Sequence, residues 1–124
     1  MAFFGRRVPH SPIILRPRVL GPPPAAIQFI QGTSQAFGSG SSQSLAFPSN
    51  VQPTDFIEVT VGTFASATLT VTDSLGQTYQ QAGGYVNNSS VVVSKWYFPN
   101  SAGGADTITV AASGSVLMSI WIAE

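Results

Sequence analysis

Apolar and polar residues alternate without a break in "IEVTV" (57–61) and again in "ATLTVTD" (67–73). Side chains that point the same way at every second position are the mark of a strand with one buried face. The first stretch predicts Ile57, Val59 and Val61 on the core side, with Phe56, Glu58 and Thr60 outside. The second predicts Ala67, Leu69 and Val71 inward. Asp73 and Gly76 bracket a turn, so residues 66–73 are expected to fold back on 77–82. Residues 25–32 read as a first strand with Ile27 and Phe29 on one face, residues 34–44 as a Gly/Ser-rich loop, and residues 90–98 as a strand closed by Pro99-Asn100. Gly pairs at 83–84 and 103–104 read as loops. Residues 107–113 and 116–124 read as two strands joined through Gly114-Ser115, a two-residue hairpin signal. In the last of these, Val116, Met118, Ile120 and Ile122 form the core face and Trp121 lies outside. Trp96 and Tyr97 are adjacent and must point to opposite faces.

Composition agrees. Charged residues make up 8% of the 124, and the strong helix formers Glu and Lys are almost missing, which leaves little to build a helix from. The expectation is an all-β fold of about seven to eight antiparallel strands at roughly ten-residue spacing, a sandwich or small barrel. One domain, residues 25–124, carries it, and residues 1–24 form an appendage.

That appendage is of a different kind. Prolines stand at 9, 12, 17, 22, 23 and 24. Each removes an amide donor and biases its predecessor toward extended backbone, so the arm favours polyproline II geometry and could reach on the order of 80 Å. The formal charge of zero conceals a division. Arg6, Arg7, Arg16 and Arg18 give the first 25 residues +4 with no acid, while one lysine against five acids gives the remainder −4. A basic arm on an acidic body calls for an electrostatic partner. There is no cysteine, which excludes disulfides and thiolate metal sites. No apolar run is long enough to span a bilayer, and the start lacks the apolar core of a signal peptide.

The stretches "LTVTDSLGQTYQQ", "VSKWYFPNSAGGADTITVAASGS" and "IWIAE" resemble an immunoglobulin-like β-sandwich module of bacterial and phage surface and structural proteins. The resemblance spans residues 55–124. It implies an immunoglobulin-like antiparallel β-sandwich and a structural or adhesive unit rather than an activity. Joined to an extended arm, the architecture resembles a phage capsid decoration (cement) protein, a small β domain that sits on the shell while its arm crosses neighbouring subunits. Such a protein would be found in the virion. Its partner would be the major capsid protein or another virion protein, and many copies or a homo-oligomer would be present per particle.

Residues that carry chemistry are few. The single histidine, His10, lies in the arm, and no nucleophile motif accompanies it. The acids come singly, and paired carboxylates would require two of Asp55, Glu58, Asp73 and Asp106 to converge in a cleft. Asp73 and Asp106 read first as turn residues; a calcium at either, with loop carbonyls, is the one metal reading left open. No enzyme activity and no cofactor are expected. Four arginines without interleaved aromatics are a poor nucleic-acid footprint. In the reading as a protein clamp, Arg6, Arg7, Arg16 and Arg18 pair with carboxylates on the partner while Phe3, Phe4, Ile13, Ile14 and Leu15 fill apolar grooves. The alternative is a carbohydrate- or host-surface-binding module that uses Trp96, Tyr97 and Trp121, or a tail or baseplate protein.

Overall fold

The computed structural model describes residues 5, 12–18, 20–23, 26–87 and 90–124, with the main chain alone at 85–87. Among them there is no helix. Six strands, β1 (Gly32–Ala46), β2 (Ile57–Phe64), β3 (Leu69–Asp73), β4 (Gln80–Asn87), β5 (Val91–Phe98) and β6 (Thr107–Ala123), join in one open antiparallel sheet. Their order is β1-β6-β2-β5-β4, with β3 also on β6.

The seventeen-residue β6 organises the rest. On one edge it pairs with β1 from Gly32↔Ala123 to Ala46↔Thr107. On the other it pairs with β2 from Glu58↔Ala123 to Phe64↔Leu117, and then with β3 from Leu69↔Ala112 to Asp73↔Ile108. Residues 65–68 on one side and 113–116 on the other separate the two ladders, four residues each, so the register is unchanged across the break. β2 and β3 are thus one long partner strand interrupted at a single place. Ala65 has a positive φ of 80° there, and the Ser113 amide still donates to the Thr68 carbonyl at 2.9 Å.

Core parity along β6 never changes. Ile108, Val110, Val116, Met118, Ile120 and Ile122 are all buried, as are Ile57, Val59, Val61 and Val71 opposite them. Together with Phe47, Val51, Tyr79 and Trp96 they form one cluster. The inward faces of both halves of the sheet therefore share a single core.

Several expectations are corrected. Gly114-Ser115 is no hairpin: β6 continues through it, bulging away from β1 between Gly40↔Val116 and Ser42↔Ala111 at the same place where it passes from β2 to β3. The merger is one reason for six strands where seven to eight were expected. Residues 34–44 are not a loop but most of β1, because β6 offers them an unpaired edge. Conversely, of the strand predicted at 25–32, residues 26–31 form none and Gly32 only opens β1. Ile27 and Phe29 are exposed, and only Ile30 and Gln31 bond to the chain end, through Ile30 N–H to Glu124 O and Glu124 N–H to Gln31 O. Gly83 and Gly84 lie inside β4, at a bulge against β5, rather than in a loop. The turn at 73–76 does fold the chain back on β3, through Asp73 N–H to Gln77 O and Tyr79 N–H to Val71 O around a Thr72↔Thr78 bridge, but from Gln80 onward the chain leaves β3 and pairs with β5.

The continuous core face of β6 makes an asymmetric prediction. Ile120→Ala, at a position 1% exposed, is expected to cost about 2–5 kcal/mol, whereas its near neighbour Leu117→Ala, 39% exposed, costs under about 1 kcal/mol. Urea midpoints of the two variants measure the difference, and equal losses would contradict the assigned faces.

Candidate interaction surface

The outward positions of the sheet follow from the same register. Trp121, Thr60 and Lys95 lie in one row, Ser119, Gly62 and Val93 in the next, and Leu117, Phe64 and Val91 in the third. Gly62 and Ser119 keep the middle of this face low: a Cβ on Gly62 would sit 2.9 Å from the Ser119 hydroxyl. Larger apolar groups stand on either side of it. Phe64 packs on Phe37, ring centres 5.1 Å apart. Alternation from Thr33 and Gln35 would turn Phe37 toward the core, but the bulge between Gln35 and Gly38 rotates it to the outer face. Phe56 stacks on Tyr97 at 5.8 Å and 13°. Trp121, Phe56, Phe64, Phe37, Leu117 and Val93 are all exposed, an extended apolar patch of the kind that marks a contact surface.

At the Trp121 end this face is hollowed. A groove of about 660 Å³ runs between residues 26–30, the 54–56 loop and the ends of β2 and β6, with Ile27, Phe29, Phe56 and Trp121 as its apolar walls and Asp55 and Glu58 among its acids. A clamp at Gln31 fixes one wall. The Gln31 amide oxygen accepts from the Ser49 N–H at 3.0 Å and the Ser49 hydroxyl at 2.8 Å, and its NH₂ donates to Ser49 O and to the Glu124 carboxylate. Glu124 also accepts from the Gln52 N–H at 2.6 Å. The arm therefore leaves the body across the groove from a tethered point. Glu58 is ion-paired with Lys95, and the Asp55 carboxylate accepts no hydrogen bond from any described residue.

Beyond that exit the described arm residues are exposed and form no strand; one local bond joins Leu15 N–H to Ile13 O at 3.1 Å. Of the predicted contact residues, Ile13, Ile14, Leu15, Arg16 and Arg18 all face solvent, while Phe3, Phe4, Arg6 and Arg7, like His10, lie outside the described residues. The three aromatic residues named for a sugar platform are split. Trp96 is buried, donating its indole N–H to the Ser94 hydroxyl at 2.9 Å, so only Tyr97 and Trp121 reach the outer face. Sequence reasoning missed Phe29 and Phe56 as surface groups; the first was placed in a strand, and the second was seen as outward without its groove.

The remaining acids do structural work. Asp73 Oδ1 accepts from the Leu75 and Gln77 amides at 3.0 and 2.8 Å, and Oδ2 from the Gln77 side chain at 2.9 Å and the Tyr79 hydroxyl at 3.3 Å. Both oxygens are occupied in holding the 73–77 turn. Asp106, 4% exposed, accepts from the Ser74 hydroxyl through Oδ1 at 3.3 Å, and its Oδ2 is buried without a partner among the described residues. Burial first, and then the charge of Asp73, push the Asp106 carboxyl above its ordinary range, with Ser74 and the Thr107 amide pulling partly back. Burial and the two carboxylates likewise hold the Tyr79 phenol protonated. Among the described residues no group of three or more His, Asp or Glu is placed to hold a metal ion, and no helix is long and apolar enough to cross a membrane.

Comparison with known proteins finds no matching family model, no matching curated protein and no matching solved structure.

The raised Asp106 pKa has a sign. A carboxyl whose folded pKa lies above its unfolded value contributes stability that is complete below the unfolded pKa and is lost as pH rises through the folded one. Asp106→Asn removes the buried charge. Thermal unfolding across the acid-to-neutral range should show the variant melting higher than the parent at neutral pH, with the gap narrowing as the pH falls. A variant that melts lower at neutral pH would contradict this account of Asp106.

Proposed function

We propose that this chain is a non-enzymatic structural protein that joins a larger protein assembly through its N-terminal arm, in the manner of a capsid decoration protein. The observation that carries the reading is the exposed arm itself: apolar Ile13, Ile14 and Leu15 beside cationic Arg16 and Arg18, all turned to solvent, on a body whose core lies wholly within residues 47–122. A segment of that composition gains by docking, since its side chains bury against a partner and its prolines limit the entropy lost on ordering. In this reading the body is an immunoglobulin-like sandwich. The partner is a virion protein, in the first place the major capsid protein, and the chain resides on the particle in many copies. The acids fit a non-catalytic role, because Asp73 is consumed by its turn and Glu58 by Lys95.

A second reading rests on one feature. The groove sets Trp121 and Phe56 near Asp55 and Glu58, a combination of rings and carboxylates that can also receive a sugar. Glycan-array binding that disappears in Trp121→Ala, with assembly intact, would select carbohydrate recognition instead.

Removal of residues 1–24 tests the proposal. The truncated body should keep a cooperative melt and lose co-sedimentation with particles that carry the full chain. Full retention of the truncated form on particles would overturn it.

A further inference from the structure

The groove and the arm match each other in chemistry. With prolines at 12, 17, 22 and 23, the arm lacks amide donors at four of the twelve positions 12–23 and suits poorly the open edge of a sheet. Proline-rich segments dock instead in grooves walled by aromatic rings, where the preformed helix loses little entropy. This groove has such walls in Phe29, Phe56 and Trp121, and Phe56 is steadied by its stack on Tyr97. The charges match as well. No acid lies between residues 12 and 23, which carry Arg16 and Arg18, while the Asp55 carboxylate at the groove, which accepts no hydrogen bond from a described residue, can take a guanidinium fork. The described arm residues leave the groove open: Ile13, Ile14, Leu15 and Leu20 are 76–88% exposed, and residues 26–30 form a wall of the groove.

We propose that the groove receives residues 12–23 of a second copy of this chain. Each copy carries both arm and groove, and a reciprocal exchange, in which each arm enters the other copy's groove, closes as a two-fold dimer. The inference rests on the arm-docking reading above and names one surface that the arm engages.

Sedimentation velocity on the full chain provides the test. A concentration-dependent dimer is expected, weakened at high salt because its ion pairs are screened. The arm variant Arg16→Glu/Arg18→Glu and the groove variant Asp55→Lys change exposed or half-exposed positions, and each should raise the dimerisation midpoint by about tenfold or more. Mixed together, the two restore the dimer, because both arm–groove contacts then join opposite charges. A full chain that stays monomeric, variants that dimerise like the parent, or a mixture that forms no heterodimer would each overturn the inference. Particle co-sedimentation of the same preparations separates the two proposals. A monomer that still binds particles through its arm sinks the exchange and leaves the assembly role standing. A dimer that ignores particles supports the exchange and sinks the assembly role.

Discussion

β6 is hydrogen-bonded on both edges for almost its whole length, and the other strands take their places from it. Because its inward positions stay even-numbered from Ile108 to Ile122, the strand can be served by β1 on one side and by β2 and β3 in succession on the other without any reversal of faces. A shift of one residue in either ladder would carry Val59, Val61 and Val71 to solvent and bring Glu58, Thr60 and Thr72 inward. The unchanged offset across the 65–68 break is what the chain must preserve. Ala65, at positive φ, and the Thr68–Ser113 contacts are the local means of doing so.

The outer face follows from that constraint. Once the inner positions are fixed, Trp121, Leu117, Phe64 and Val93 have no choice but to face out, and the β1 bulge adds Phe37 to them. The tether at Gln31 then leads residues 26–30 across the Trp121 end and shapes a groove. Scaffold and contact surface are two sides of one register, and the proline-rich arm emerges where the apolar side is deepest.

Much of this was legible in the residues. The strands read at 55–62 and 90–98 lie within two residues of β2 and β5, and the inward sets Ile57/Val59/Val61 and Val116/Met118/Ile120/Ile122, with the outward Trp121, follow from period-two alternation. What failed had a common cause: pairing overrode local composition. β1, almost all Gly, Ser, Thr and Gln in its middle, carries no alternation that identifies a strand, and it is one only because β6 presents an edge. Gly114-Ser115 has the chemistry of a hairpin turn, yet the ladders that flank it, to β1 and to β2 and β3, resume on the same sides beyond it and keep the chain running in one direction. Ile27 and Phe29 alternate as a strand should but find no partner, since β1 already fills the edge of β6. The groove was illegible because it joins residues nearly a hundred positions apart. Asp55 and the outward Phe56 could have been marked by their place just before a strand, though nothing in their neighbourhood named the other wall.

In the proposed exchange the apolar outer face receives a proline-rich arm from another molecule. Isotope-filtered nuclear Overhauser measurements on a mixture of labelled and unlabelled full chains address it at the level of atoms. The account predicts intermolecular cross-peaks from the Trp121 and Phe56 rings to the side chains of Ile13, Ile14, Leu15 and the neighbouring prolines. Cross-peaks confined to single molecules, with the two rings still exposed at concentrations where the chain associates, would contradict it.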